Sequence, residues 1–222
     1  MSAAEALSLA VSGAQVSALW LEPAAATSCF VFAHGAGAGM THAFMAAFAE
    51  GLAARGIATL RYQFPYMEKK SGRPDAPALC HATVRAAVDA AARRAPGLKL
   101  IAGGKSFGGR MTSQAQASQP LHSVGGLAFL GFPLHAAGKP TNTRAAHLTE
   151  ISIPMLFLQG EKDKLAEPKL LQPIIAELGR KATLVWAPQA DHSFHVPKRS
   201  GLSDAEVLAT LLDAFAGWAA AI

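Results

Sequence analysis

The sequence has few cysteines and no long apolar segment, and each absence excludes a class of protein. Cys29 and Cys80 are the two cysteines in 222 residues, too few for the disulfide framework of a small secreted domain. No apolar run approaches the roughly 18 residues that a membrane-spanning helix needs. Residues 1–5 have neither the basic start nor the apolar core of a signal peptide. We therefore expect a cytoplasmic protein without a membrane partner, in which both thiols are buried or half-buried.

Charged side chains are also sparse, at 16% of the 222 residues, and they leave a formal net charge of +5. The basic residues are scattered along the chain and are not interleaved with aromatic side chains, as they are in nucleic-acid-binding modules. We therefore expect no nucleic-acid partner. The hydrophobic fraction of 51% is typical of a globular chain with a large core, and we expect a single α/β domain over residues 1–222.

Short apolar runs alternate with amphipathic segments after an initial hairpin pattern. Residues 7–11 and 16–21 flank a turn and predict two antiparallel strands. Further strands are predicted at 27–33, 57–62, 98–103, 126–130, 153–159 and 183–186. Helices are predicted at 42–54 with Thr41 as N-cap, 75–94, 107–119, 169–178 and from Ser203 onward. This alternation predicts an α/β fold with a doubly wound, mostly parallel sheet, an N-terminal antiparallel hairpin and helices on both faces.

The stretch from Gly131 to Glu150 is short, polar and punctuated by proline and glycine. It predicts only a small helix near 143–148, which is too little chain for a helical cap over the sheet. We therefore expect no cap domain, and a shallow, open pocket that favours short acyl chains.

One motif has the features of a catalytic turn. Gly104-Lys105-Ser106-Phe107-Gly108 matches G-x-S-x-G, and it lies between a predicted buried strand and a predicted helix. A serine at such a sharp turn has a strained backbone, and glycines on both sides leave room for the neighbouring strand and helix. The turn also directs the amide of Phe107 and the helix N-terminus toward an oxyanion at the serine. Ser106 is therefore the candidate nucleophile.

Its candidate partners follow later strands, because active sites of open parallel sheets lie at the carboxyl ends of the strands. Asp163 comes after the strand at 153–159, and His192 comes after the strand at 183–186. Serine, acid and histidine in this chain order are typical of α/β-hydrolase triads. His192 would be the base and Asp163 its orienting carboxylate. Glu161 is the nearest rival for the acid, and Asp191 is interpreted as a turn residue that orients the histidine loop.

The remaining site candidates surround the predicted nucleophile. The loop His34-Gly35-Ala36-Gly37 directly follows a strand, and the Ala36 amide would be the second oxyanion donor beside that of Phe107. His34 is interpreted as a loop-shaping group rather than a second base. The candidates for the substrate pocket are His34, Gly35, Phe64, Tyr66 and Lys105. A basic rim is a further hypothesis, with a solvated surface as its alternative, for Lys69, Lys70, Lys198 and Arg199.

Nucleotide and metal sites are not indicated. A phosphate-binding G-x-x-x-x-G-K-S loop would need glycine at Lys99, and the dinucleotide fingerprint would need glycine at Met40. His192 and His195 are three residues apart, but no other ligand cluster accompanies them. We expect neither a cofactor nor a metal.

These motifs together resemble a known family. The segments His34–Met40, Phe64–Met67, Gly103–Arg110, Gln159–Asp163 and Asp191–Phe194 are similar to those of cap-less α/β-hydrolases of the dienelactone-hydrolase group. More closely, they resemble the predicted-hydrolase family that includes testis-expressed-30-like proteins. Dienelactone hydrolases proper use a cysteine nucleophile where this chain has Ser106, so the resemblance implies fold and triad rather than that substrate. The family also includes a subunit of a chromatin-modifying complex, so the fold alone does not establish catalysis.

The sequence thus predicts a serine hydrolase of small acyl substrates. The activity it favours is that of a carboxylesterase acting through an acyl-enzyme. Thioesterase and peptidase activities stay open, because they share the same acyl chemistry. The alternative from another class is a binding or scaffold protein that retains the fold without turnover. Nothing in the sequence indicates an oligomeric state.

Overall fold

The computed structural model describes residues 3–222, which form one eight-stranded sheet flanked by helices. The strands are β1 (Glu5–Val11), β2 (Ala14–Leu21), β3 (Ser28–Ala33), β4 (Ile57–Tyr62), β5 (Lys99–Lys105), β6 (Val124–Leu130), β7 (Met155–Gly160) and β8 (Ala182–Ala187). The helices are α1 (Ala43–Ala53), α2 (Pro65–Glu68), α3 (Pro77–Arg94), α4 (Phe107–Ser118), α5 (Pro168–Leu178) and α6 (Asp204–Ala221).

The sheet order is β1-β2-β4-β3-β5-β6-β7-β8. Strands β3 to β8 pair in parallel, whereas β2 pairs antiparallel with both β1 and β4. The predicted fold class, a mostly parallel α/β-hydrolase sheet with an antiparallel N-terminal hairpin, is confirmed. The order reverses around β3 and β5, so the loops after these two central strands lie side by side. That is where the rule for open sheets places a site.

The hairpin is tighter than the sequence pattern predicts. Val11 pairs with Ala14, so only Ser12 and Gly13 form the turn, with φ of 49° and 82°. Two successive positive φ values are the requirement of a type I′ turn, whose twist matches that of the strands. Strand β2 therefore begins two residues before its predicted start, while β1 is longer than predicted only at its other end, where it begins at Glu5.

The sheet is buried on both faces. The side chains of its central strand β3, which point alternately to the two faces, illustrate this. Phe30 and Phe32 of β3 belong to a buried cluster with residues of α1 and α6, while Cys29 and Val31 belong to a second cluster on the opposite face, which includes residues of α3, α4 and α5. Successive strand residues point to opposite faces, so a wholly apolar strand is buried by two helical layers. Both cysteines are buried free thiols, as expected.

Several helix boundaries differ from the sequence prediction. Helix α1 is capped by His42, whose Nδ1 accepts the Phe44 N–H at 3.2 Å, rather than by the predicted Thr41. Helix α2 lies between the strand predicted at 57–62 and the helix predicted at 75–94, where the sequence analysis predicts no helix. Helix α6 begins after Ser203, where the sequence predicts its start, and a capping box holds that end, with reciprocal hydrogen bonds between Ser203 and Glu206.

The connection from β6 to β7 contains only a 3₁₀ segment, Thr143–Glu150. No cap domain covers the carboxyl ends of the strands within residues 3–222. Among these residues there is also no helix with the length and apolar character needed to cross a membrane.

Candidate active site

The G-x-S-x-G turn connects β5 to α4, and Ser106 occupies it with φ 49° and ψ −114°. This conformation is uncommon for a residue with a side chain and costs about 1–3 kcal/mol. The two motif glycines have a steric cause. A Cβ at Gly104 would lie 2.4 Å from the Ala33 carbonyl oxygen, and one at Gly108 would lie 2.5 Å from the His34 carbonyl oxygen. Only glycine lets the turn pack this closely on the end of β3.

The three side chains predicted from chain order are brought together by the fold. The Ser106 hydroxyl donates to His192 Nε2 at 2.8 Å, and the His192 Nδ1–H donates to Asp163 Oδ2 at 2.7 Å. Loops after β5, β7 and β8 supply these residues, which are far apart in the chain. The result is one continuous hydrogen-bonded array from a hydroxyl to a carboxylate.

Asp163, not Glu161, is the carboxylate that contacts the histidine. Asp163 is only 1% exposed, and its Oδ1 also accepts the Leu165 N–H at 2.8 Å. Glu161 instead accepts the backbone N–H of Gln189 at 3.0 Å. The prediction for Asp163 thus agrees with the geometry, and Glu161 has a different, structural contact.

Gln159 is a site residue that the sequence analysis missed. Its Nε2 donates to Asp163 Oδ2 at 2.6 Å, and its Oε1 accepts the Phe132 N–H at 2.9 Å. The side chain is fully buried. It therefore holds the Asp163 carboxylate in place where solvent does not reach. A lone polar residue near the end of the apolar strand β7 was the signal that could have found it.

Lys105 and Asp191 hold the histidine loop. The Lys105 ammonium donates to the backbone carbonyl of His192 at 2.5 Å. Asp191 Oδ1 accepts the N–H groups of Ser193 and His195 at 2.8 and 3.0 Å, which agrees with its interpretation as a turn residue. Burial lowers the pKa of Lys105 to about 8, although the carboxylates of Asp163 and Asp191 oppose that shift.

The loop after β3 shows how His34 acts. His34 is fully buried, its Nδ1–H donates to the Gly35 carbonyl at 2.8 Å, and its Nε2 accepts the Phe64 N–H at 3.0 Å. Burial also lowers its pKa, so the ring is neutral near pH 7. The Gly35 carbonyl and the Ala36 N–H belong to one planar peptide unit. Fixing the carbonyl therefore fixes the direction of the Ala36 amide, as expected of a loop-shaping residue.

The two candidate oxyanion donors are free within residues 3–222, where no protein acceptor takes the N–H of Ala36 or Phe107. Tyr66 fixes the next peptide, because its hydroxyl donates to the Ala36 carbonyl at 2.9 Å. Gly35 lies close to the nucleophile, since a Cβ there would be 3.9 Å from Ser106 Cβ. A substrate oxygen bound between these amides could therefore accept hydrogen bonds from both N–H groups.

Two cavities meet at Ser106. The first, of about 320 Å³, is lined mainly by the loop after β3, helix α1 and the histidine loop, including Gly35, Ala36, Phe44, Lys105 and His192. The second, of about 430 Å³, extends along α4 toward the 3₁₀ segment and is lined by Ala36, Asp75, Phe107, Arg110, Arg144 and Leu165, among others. Both are open at the surface, so the site is accessible from two sides.

The predicted pocket candidates divide into two groups. Gly35 and Lys105 line the first cavity, whereas His34, Phe64 and Tyr66 line neither. Phe64 and Tyr66 are buried behind Phe107, with ring centroids 5.6 and 6.2 Å from it. Phe107 stands between them and the cavity, so they support its wall from behind.

The four residues of the proposed basic rim, Lys69, Lys70, Lys198 and Arg199, are exposed and line neither cavity. Within residues 3–222, no group of three or more His, Cys, Asp or Glu side chains is arranged to hold a metal ion.

Comparison with known proteins agrees with this architecture. A dienelactone hydrolase from Anabaena variabilis has a TM-score of 0.78 and 22% identity, over 97% of this chain and 96% of its own. An α/β serine hydrolase without lid from Xanthomonas campestris has a TM-score of 0.75 and 20% identity, over 97% and 94%. An esterase domain from Rhodothermus marinus has a TM-score of 0.74 and 14% identity, over 98% of both chains. These likenesses establish the shared fold.

No curated protein matches the chain by sequence, and the finer resemblance to testis-expressed-30-like proteins stays a prediction. The family described as alpha/beta hydrolase domain matches residues 26–220, which is most of the chain. The prediction of an α/β-hydrolase-type enzyme is confirmed at that level, and the chain belongs to the α/β-hydrolase domain family.

Proposed function

We propose that this protein is a serine hydrolase of small acyl substrates, acting as a carboxylesterase through an acyl-enzyme on Ser106. The observation that carries the proposal is the unbroken array from Ser106 through His192 to Asp163, at 2.8 and 2.7 Å, beside two unused amide donors. A serine hydroxyl is a poor nucleophile near neutral pH, and a hydrogen-bonded imidazole base is what activates it.

In the first half-reaction, Ser106 Oγ attacks the ester carbonyl carbon while its proton passes to His192 Nε2. The carbonyl oxygen becomes an oxyanion, which accepts hydrogen bonds from the amides of Ala36 and Phe107. Buried Asp163 stabilises the imidazolium that forms. The carbon–oxygen bond to the alcohol then breaks, and the alcohol oxygen takes the proton from Nε2.

In the second half-reaction, His192 removes a proton from a water molecule that attacks the acyl carbon. The same two amides stabilise the second oxyanion. The bond to Ser106 then breaks, Ser106 Oγ recovers its proton from Nε2, and the carboxylic acid is released. The Lys105 hydrogen bond to the His192 carbonyl supports both steps by holding the base over the serine.

Labelling with a fluorophosphonate probe tests the proposal. We expect stoichiometric labelling of the wild type and none of Ser106→Ala, because the phosphorus atom traps only an activated serine. Ser8→Ala is the matched control, since that exposed serine lies on β1, where its hydroxyl donates a hydrogen bond to Gln15. Turnover of p-nitrophenyl acetate should follow the same pattern. A wild type that is folded but neither labels nor turns over would favour the scaffold alternative.

A further inference from the structure

The second cavity at Ser106 contains two arginines that form no ion pair with a protein carboxylate. Arg110 lies on α4 one turn after Ser106, and Arg144 lies in the 3₁₀ segment Thr143–Glu150. Both line the cavity together with Ser106. Among residues 3–222, neither guanidinium has a carboxylate oxygen within 4.0 Å. The Arg110 Nε is buried and has no hydrogen-bond partner, so no protein acceptor holds this end of the guanidinium in place of a ligand.

The positive charge at the second cavity comes from Arg110 and Arg144. The Arg110 guanidinium lies 5.7 Å from the centroid of the Phe107 ring. Burial and then repulsion from Arg144 lower the pKa of Arg110, yet an arginine stays charged. His147, on the same 3₁₀ segment, has its pKa lowered to about 4 by burial and next by Arg110, so it adds no charge near pH 7.

One acidic residue, Asp75, also lines the cavity. Its Oδ2 already accepts the Tyr66 N–H at 2.7 Å. Two guanidinium groups and one carboxylate leave a net charge of about +1 facing the cavity. A single anionic group on a ligand would balance that charge and supply acceptors for Arg110 and Arg144.

The position of His192 indicates which half of an ester enters this cavity. The departing alcohol must take its proton from His192 Nε2, and His192 lines the first cavity but not the second. The alcohol part therefore lies in the first cavity, and the acyl chain extends into the second. Arg110 follows Ser106 by four residues, roughly 6 Å along a helix axis, and both residues line this cavity, so a short acyl chain suffices to extend from the serine toward the guanidinium.

We propose that the second cavity binds an acyl chain that ends in a carboxylate, so that the preferred substrates are short monoesters of dicarboxylic acids. The inference rests on the proposed function and adds the substrate class to it. Attack by Ser106 releases the alcohol and leaves the dicarboxylic acid attached to the serine through one carboxyl carbon. Its other end, a free carboxylate, then lies between Arg110 and Arg144. Water then releases the dicarboxylate and restores the serine.

A pair of esters of matched chain length tests this. Mono-p-nitrophenyl glutarate carries the terminal carboxylate, and p-nitrophenyl pentanoate has the same carbon chain without it. We expect wild-type kcat/KM to be at least about 10-fold higher for the glutarate ester. Arg110→Met and Arg144→Gln should each lower that value about 10- to 100-fold, which is the range for losing a hydrogen bond to a charged group. Hydrolysis of the pentanoate ester should fall by a clearly smaller factor, because the methyl end of its acyl chain accepts no hydrogen bond from either arginine.

Arg93→Gln is the control for a simple change in net charge, because Arg93 is exposed on α3 and lines neither cavity at Ser106. Arg110→Lys separates charge from the bidentate geometry and should recover only part of the preference. Equal wild-type values for the two esters, or equal losses for both in the arginine variants, would overturn the proposal while Ser106-dependent hydrolysis still stood.

If the wild type hydrolyses neither ester, the proposed hydrolase function fails. A direct binding measurement then tests whether the second cavity binds a dicarboxylate. Titration calorimetry with free glutarate should then show binding that Arg110→Met or Arg144→Gln removes and Arg93→Gln retains. No binding of glutarate to the wild type would overturn the dicarboxylate site as well.

Discussion

At the scale of single residues, the site depends on which carboxylate contacts which nitrogen. Asp163 and Glu161 are two residues apart, yet one is buried against His192 Nδ1 and the other holds the Gln189 amide. An uncharged amide at 163 could present its NH₂ group to Nδ1 and favour the tautomer in which Nε2 carries the proton. That tautomer cannot accept the serine proton, so the two acids have very different expected roles.

We therefore expect Asp163→Asn to lower kcat for p-nitrophenyl acetate by about 10³- to 10⁴-fold, with a small change in KM. Glu161→Gln should stay within about threefold of the wild type. Both variants should stay folded under the assay conditions, as circular dichroism would verify. A larger loss for Glu161→Gln than for Asp163→Asn would show that the acid is assigned to the wrong residue.

Among residues, Gln159 and Arg110 illustrate what the sequence analysis did not identify. Ser106, Asp163 and His192 could be predicted to lie together because each follows a strand, and the topology of parallel sheets brings strand ends together. Gln159 acts from within a strand, and Arg110 and Arg144 meet only after the 3₁₀ segment has packed on α4. Phe64 and Tyr66 were expected in the pocket wall, but their distance from it depends on where the Phe107 ring lies. Such contacts are set by packing, which local sequence patterns do not encode.

At the scale of secondary-structure elements, the end of β3, the end of β5 and the start of α4 pack with almost no space between them. The motif glycines at 104 and 108 are the contact points with Ala33 and His34. The strands themselves were predictable, because apolar runs bounded by glycine and proline indicate buried strands. Their exact limits were not, since the Ser12-Gly13 turn and the His42 cap depend on local hydrogen bonds and backbone angles.

Gly104→Ala should destabilise the fold, because its Cβ would overlap the Ala33 carbonyl oxygen at 2.4 Å. We expect the free energy of unfolding to fall by about 1–3 kcal/mol, as is usual for overpacking. Gly97→Ala is the matched control, since a Cβ there would meet nothing within 4 Å. Urea unfolding followed by tryptophan fluorescence measures both. Similar stability for the two variants would contradict the steric account of the motif.

At the scale of the whole molecule, the uncovered carboxyl ends of the strands determine how substrate reaches Ser106. The connection from β6 to β7 contributes a 3₁₀ segment and no cap domain within residues 3–222. Lipases that need an oil surface have a lid that must open, and nothing in this part of the fold has that form.

We expect hydrolysis of p-nitrophenyl butyrate to rise smoothly with concentration, with no jump at the solubility limit, and to exceed hydrolysis of the palmitate ester in emulsion. Initial rates measured on both sides of the solubility limit test this. A sharp rise in rate when droplets appear would contradict the uncovered site.

The meeting of two cavities at one hydroxyl also fixes an order of events. If the alcohol lies beside His192 and the acyl chain lies beside Arg110, each half of the ester has its own exit. The alcohol can diffuse away while the acyl group is still attached, which empties the space next to Nε2 for the incoming water. A second alcohol could occupy that same space, so the geometry that permits hydrolysis also makes transfer of the acyl group to another hydroxyl compete with water.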